Sequence, residues 1–187
     1  MNYCSACGEK VILVVPEGDN RQRYVCGSCE MIHYENPKIV TGCIAEWQDK
    51  ILLCKRAIEP RHGLWTLPAG FMENAETNLQ GAARETAEEA NAKVDNMKLF
   101  CVFSIAHISQ VYTMYRGDLV KGLASPGTES LEVALMAEDD IPWGEIAFQV
   151  ISETLKLYYQ DKTKGNFVTH YGDIIKQSDN SYIVNYF

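Results

Sequence analysis

No apolar run in this chain approaches the eighteen or so residues needed to cross a bilayer as a helix; the longest near the start is Val11 to Val15. The opening Met1-Asn2-Tyr3-Cys4 lacks the basic segment and apolar stretch of a secretory signal, so a cytoplasmic location is expected. Basic residues are scarce too: 17 Lys and Arg stand against 25 Asp and Glu, a formal net charge of −8. That deficit argues against nucleic acid or an anionic membrane as the main partner, because both reward clustered cations. An anionic small molecule stays compatible, since a bound divalent cation inverts the local field. Internal repeats and low-complexity segments are missing as well. What is present is ordinary for a globular chain: 187 residues, 47% hydrophobic, enough for one self-sufficient core and a small appendage.

The cysteines fall into two groups. Cys43, Cys54 and Cys101 lie among apolar residues and read as buried, reduced thiols. Cys4-x-x-Cys7 and Cys26-x-x-Cys29 form two tight knuckles, the pattern that gathers four thiolates around zinc. Two disulfides or a repeated redox pair are the alternatives; a reducing compartment disfavours the first and the absence of a βαβ context the second. Four protein thiolates leave no open coordination position, so the zinc is expected to be structural, and His33 packs rather than ligates. Val11–Val15 and Arg23–Val25 flank a turn-rich Pro16-Glu17-Gly18-Asp19-Asn20, which predicts the hairpin of a ribbon over residues 1–34. Glu35-Asn36-Pro37 marks the passage to a second domain, 35–187.

In that domain strands are expected from Ile39 to Trp47, Ile51 to Cys54, Leu99 to Ile108, Gln110 to Tyr115 and Leu131 to Ala137. One helix is expected from about Thr77 to Asn91. A second is expected from Pro142 to about Gln160, with Ala147, Val150, Ile151, Thr154, Leu155 and Tyr158 on one face. The last two dozen residues show no clear periodicity. Strands around two helices make an α+β or α/β sandwich.

On the first helix Glu85, Glu88 and Glu89 stand at i, i+3 and i+4, three carboxylates within about 6 Å along the axis. At an effective dielectric of about 20, each such pair repels by roughly 2–3 kcal/mol before screening. Either water solvates the face or divalent cations neutralise it, and hard oxygens suit Mg²⁺ or Mn²⁺. Glutamate is a good helix former and Lys93 sits at i+4 to Glu89, so the three residues alone favour a solvated face. The flanks shift that balance. Gly70 ends a strand-like Leu67-Pro68-Ala69, Glu76 precedes the helix, and Arg84 adjoins the acidic residues. An Arg84–Glu76 pair would lock loop to helix and keep the guanidinium off the metal face.

This segment resembles a Nudix box: Gly, five residues, Glu, seven residues, then Arg-Glu-apolar-x-Glu-Glu-x-Gly-apolar. Gly70, Glu76, Arg84, Glu85, Glu88 and Glu89 fall at the required spacing, whereas Thr86 stands at an apolar position, Asn91 replaces the second glycine and Ala92 is a small final residue. Asparagine tolerates the left-handed conformation glycine would supply. The ribbon leading into Ile32-His33-Tyr34-Glu35-Asn36-Pro37-Lys38, then Gly63-Leu64-Trp65-Thr66, Asp140-Ile141-Pro142-Trp143, Ala147-Phe148 and His170-Tyr171-Gly172, is similar to a zinc-ribbon subgroup that includes ADP-ribose and FAD pyrophosphatases. The resemblance implies an α/β/α Nudix sandwich with an N-terminal zinc ribbon, and Mg²⁺-dependent hydrolysis of a nucleoside diphosphate linked to another moiety. A Ser-Gln-Pro-Trp-Pro-Phe-Pro run, carried by the related NADH pyrophosphatases, is absent, which tilts the expectation to FAD or ADP-ribose, with NADH as the alternative.

Glu85, Glu88 and Glu89 are the expected metal ligands, and Gly70 supplies either a carbonyl or a turn. Glu129 and Glu132, in or near a glycine-containing loop, are candidates for general base or an extra metal ligand, with solvated loop carboxylates as the competing reading. Arg56 and Arg61 are candidates for phosphate, against surface ion pairing. Trp65, Phe71 and Tyr112 are candidates for stacking a base, against core packing. The other functional class is a silent nucleotide-sensing regulator, which a missing box ligand would favour; none is missing. The oligomeric state stays open, a homodimer included.

Overall fold

The computed structural model describes all residues from Met1 to Phe187 and divides into two compact units, Met1–Pro37 and Lys38–Phe187. The first unit is a three-stranded antiparallel sheet in the order β1 (Val11–Val14), β2 (Arg23–Cys26), β3 (Ile32–His33). Asp19 shapes the β1–β2 turn by accepting hydrogen bonds from the Asn20 and Arg21 amides, at 2.7 and 3.1 Å. Only Cys4, Cys26 and His33 are buried in this unit, while Ile12, Leu13 and Val15 are about half exposed. It has almost no apolar core.

The second unit is built on a nine-stranded sheet. Its strands are β4 (Lys38–Trp47), β5 (Lys50–Arg56), β6 (Trp65–Thr66), β7 (Ala69–Phe71), β8 (Val94–Ile105), β9 (Gln110–Leu119), β10 (Ser130–Met136), β11 (His170–Lys176) and β12 (Tyr182–Tyr186). They run in the order β10-β5-β4-β9-β8-β11-β12. β4–β9 and β8–β11 are parallel pairs. β4 and β5 pair only at their hairpin end, Glu46 with Ile51 and Trp47 with Lys50. Beyond it they part, and β6 takes the edge of β5 while β7 takes that of β4. That fork delivers the chain to the first helix, α1 (Asn78–Ala90).

Strand alternation sorts the core into two layers. Val40, Ile44, Ile51 and Leu53 pack with Val150, Ile151, Leu155 and Tyr158 of the second helix, α2 (Gln149–Lys164). Cys43, Ala45, Leu52 and Cys54 point the other way and pack with Ala90 of α1. The result is an α/β/α sandwich, and the three apolar-context cysteines are buried free thiols.

Three expectations need correction. α2 begins at Gln149, not Pro142, and continues to Lys164. Pro142 instead leads a single 3₁₀ turn, Trp143–Glu145, and Ala147 N–H donates to Trp65 O at 2.8 Å, which holds this stretch extended until Phe148. β8 starts at Val94, five residues before Leu99, accommodating polar Asp95 and Asn96 through register shifts. The aperiodic C-terminal stretch is the β11–β12 hairpin, with β11 inserted parallel to β8 and tied to α2 by Asp161–His170 at 2.8 Å and Glu153–Tyr186 at 2.6 Å. No helix is long and apolar enough to cross a membrane.

Candidate active site

α1 starts with a reciprocal cap: Gln80 N–H donates to Thr77 Oγ1 at 3.2 Å, and Thr77 N–H donates to Gln80 Oε1 at 2.8 Å. Its buried face is Gly81, Ala82, Glu85, Thr86, Glu89 and Ala90. The small residues bring the helix close; a Cβ on Gly81 would lie 2.7 Å from both Thr41 Cγ2 and Glu76 Oε1. Thr86, at an apolar motif position, is fully buried and satisfies its hydroxyl on Ala82 O at 2.8 Å. The three box glutamates are therefore not equivalent. Glu85 and Glu89 are under the helix, and Glu88 is on its rim with its side chain 59% exposed.

Arg84 joins loop and helix. Its Nε and Nη2 donate to the two Glu76 oxygens at 3.0 and 2.9 Å, and Nη2 reaches Phe71 O at 3.1 Å. That fork, with the Glu73 amide, holds the Glu76 carboxyl down at about 2. Arg84 does not keep clear of the acidic face, however. Its Nη1 donates to Glu85 Oε1 at 2.8 Å and Glu88 Oε2 at 2.9 Å, because it is the positive charge nearest to them.

Burial pushes the Glu89 carboxyl up to about 8, and the neighbouring Glu85 adds to the effect; its hydrogen bond is a long one from Ala69 N–H, 3.4 Å. Glu85 is raised as well, first by burial. Lys93 does not compensate Glu89; it pairs with Asp95 at 3.2 Å. Gly70 is not a turn residue. It sits in β7 opposite Thr41 with no positive φ, and what it contributes is space, since a Cβ there would collide with the Glu85 carboxylate. Gly70→Ala should therefore leave thermal stability nearly unchanged, because the flexible carboxylate can swing away, while Mg²⁺-dependent turnover falls at least about tenfold. Equal turnover in the two proteins would show that the position of Glu85 does not matter.

The Glu129 loop borders the same site. Its backbone is fastened to the end of α1, where Ser125 N–H donates to Ala90 O at 2.8 Å and Gly127 N–H to Glu89 O at 2.9 Å. Glu129 is exposed, and its charge is among those that raise Glu85 and Glu89. Glu132 lies apart, exposed on β10 and 3.9 Å from Lys55. Neither candidate arginine is in an ion pair. Arg56 lies over the Phe148 ring, 5.2 Å from its centroid, donates to Pro60 O at 2.9 Å, and lowers both Glu89 and Tyr112 by its charge. Arg61 is exposed in the loop before β6. Trp65 and Tyr112 are core residues, 6% and 9% exposed, so they cannot offer faces for stacking; Phe71, 49% exposed, can. A groove of about 660 Å³ along α2, lined by Trp143, Tyr159 and Lys164, includes none of these residues.

In the small unit the four candidate thiols converge. Their sulfurs lie within 4.8 Å of one another, with Cys4–Cys29 at 3.6 Å and Cys7–Cys26 at 3.5 Å. Those spacings exclude disulfides and match the edge of about 3.8 Å that a tetrahedron with Zn–S of about 2.3 Å requires. The Cys29 and Ser28 amides hold the Cys26 thiol down at about 7, while the Cys26 and Cys29 sulfurs push the Cys7 thiol up, as crowded thiols do.

The Nudix domain model matches residues 36–152, and a Nudix N-terminal zinc-ribbon model matches residues 2–35. The chain belongs to the Nudix hydrolase family. A Nudix hydrolase from Nitrosomonas europaea is 55% identical with a TM-score of 0.91, covering 94% of this chain and 100% of that one. An ADP-ribose pyrophosphatase from Streptococcus suis, 22% identical with a TM-score of 0.60 over 73% of this chain and 99% of its own, shares the fold. The curated relative from Photobacterium profundum, an NAD-capped RNA hydrolase NudC, is 33% identical over 166 residues, covering 83% of this chain. The chain spans about 59% of that relative's length. The family acts on nucleoside-diphosphate-linked substrates. FAD finds no support among these relatives, and the name of the curated one leaves the expected exclusion of nucleic acid unsupported.

Proposed function

We propose that this Nudix chain hydrolyses the diphosphate bridge of an adenine dinucleotide, with NADH as the first substrate, releasing AMP and reduced nicotinamide mononucleotide. The observation that carries metal-dependent hydrolysis is the buried Glu85–Glu89 pair, two carboxylates whose mutual repulsion a divalent cation would relieve. The donor set is all hard oxygen, so Glu85, Glu88 and Glu89 would hold Mg²⁺ or Mn²⁺, for which Glu85 and Glu88 would give up Arg84. When bound, the cation supplies polarisation of the phosphoryl oxygens and a lowered pKa for the attacking water. The chain's own groups position the rest, which is most of what phosphoryl transfer demands. Glu129 would take the proton of the water, Arg56 offers fixed positive charge to the phosphate oxygens, and Arg84–Glu76 keeps loop and helix rigid. The four thiols would hold zinc structurally.

The curated relatives' name supports a nicotinamide dinucleotide, and RNA with a 5′ NAD carries the same bridge. ADP-ribose and FAD form the second reading, favoured by the missing Ser-Gln-Pro-Trp-Pro-Phe-Pro run. The test compares kcat/KM with Mg²⁺ for NADH, an NAD-capped oligoribonucleotide, ADP-ribose and FAD. NADH is expected to exceed FAD at least about tenfold, a difference of roughly 1.4 kcal/mol in transition-state binding. The reverse order supports the second reading. Thermal stabilisation by the dinucleotides without turnover of any would overturn both and leave a nucleotide sensor.

A further inference from the structure

Asn91 follows α1 in the left-handed conformation, φ 45° and ψ 36°, where the family's motif has glycine. Glycine adopts that backbone at less cost, so the conformation gives no reason for asparagine. The side chain does. Its Nδ2 donates to Ser125 O at 3.2 Å and to Pro126 O at 2.9 Å. On either side the backbone bonds from Ser125 to Ala90 and from Gly127 to Glu89 occupy carbonyls that the last helical turn leaves unpaired. Gly127 lies so close that a Cβ would collide with Glu88 O. Two residues further on is Glu129, whose carbonyl accepts from Ala57 N–H at 2.8 Å, so the loop is pinned at both ends.

We propose that Asn91 is a positioning residue: its side-chain amide clamps the 125–129 loop to the end of α1, and so holds Glu129 at the end of the helix that carries Glu85 and Glu89. The clamp links the C-terminus of the box helix to the group that takes the proton. The inference rests on the reading of Glu129 given above. It requires coupling between Asn91 and Glu129 in the chemical step, which a purely structural cap would not produce.

The experiment is a double-mutant cycle on the full chain with Mg²⁺ and the best substrate of the panel. Asn91→Gly keeps the left-handed backbone and removes only the two side-chain bonds, so its melting temperature should stay within a few degrees of wild type. Its kcat is expected to fall about tenfold at unchanged KM, and that of Glu129→Gln about a hundredfold. The double variant should be no slower than Glu129→Gln alone. Asn91→Asp, nearly isosteric but unable to donate to the carbonyls, should behave as Asn91→Gly. Wild-type kcat in Asn91→Gly or Asn91→Asp, or a double variant slower by the product of the two effects, would overturn the clamp. Wild-type kcat in Glu129→Gln would instead overturn the Glu129 reading and remove the premise.

Discussion

Glu89→Gln is expected to lose roughly a hundredfold to a thousandfold in Mg²⁺-dependent turnover and, without metal, to be more stable than wild type at pH 8. The first effect follows from the proposed role of Glu89 as a metal ligand, since metal stabilisation of phosphoryl oxygens is worth several kcal/mol. The second follows from linkage. The carboxyl titrates at its ordinary 4.5 in the unfolded chain and at about 8 in the fold. Between those pH values the folded protein retains a proton that the unfolded chain has released. The contribution of Glu89 to metal-free stability is therefore fully present below about 4.5 and is lost as pH rises toward 8, by at most about 1.4 kcal/mol per unit. Glu85, also raised first by burial, contributes a change of the same sign. Glutamine keeps an acceptor for Ala69 N–H but carries no charge, so its melting temperature should match wild type near pH 4.5 and exceed it at pH 8. Saturating Mg²⁺ should shrink the gap by stabilising wild type alone. Calorimetry across pH with and without metal reads all of this. A metal-free wild type as stable at pH 8 as at pH 5, together with normal turnover in the variant, would remove Glu89 from the site.

Cys7→Ser is expected to release zinc and unfold Met1–Pro37 while Lys38–Phe187 stays folded with Mg²⁺-dependent turnover. The small unit buries only Cys4, Cys26 and His33 fully and leaves Ile12, Leu13 and Val15 largely in water, so it has little apolar burial with which to offset chain entropy. Ligation supplies that stabilisation; structural zinc contributes about 10–16 kcal/mol in isolated finger peptides, and loss of one thiolate forfeits much of it. The large unit has its own two-layer core. Zinc analysis and amide exchange over residues 1–37 check the outcome. Purified wild type with no tightly bound zinc and four freely titrating thiols would contradict the assignment.

Local pattern determined a good deal here. The paired Cys-x-x-Cys knuckles predict the cluster of sulfurs, Thr77 and Asn91 bracket α1, and the spacing of Gly70, Glu76, Arg84 and the three glutamates is legible before any coordinates. These features read well because each rests on contacts a few residues apart or on fixed helical geometry. What spacing cannot specify is which groups lose water. Glu85, Glu88 and Glu89 look alike in sequence, yet packing of Gly81, Ala82 and Ala90 against the sheet buries two of them and leaves Glu88 outside. Gly70 reads as a carbonyl donor or a turn, and only β7–β4 pairing beneath α1 shows the room it leaves for a carboxylate. Trp65 and Tyr112 read as ring-stacking candidates until the core closes over them. The start of α2 and the β11–β12 hairpin were hidden for the same reason, being decided by hydrogen bonds from Ala147 to Trp65 and from β11 to β8. Sequence alone thus determined the family's box, the positions of its carboxylates and the paired cysteine knuckles. Tertiary packing alone decided which donors are desolvated, because desolvation depends on neighbours distant in the chain, and that is the term that shifts a carboxyl from 4.5 to about 8.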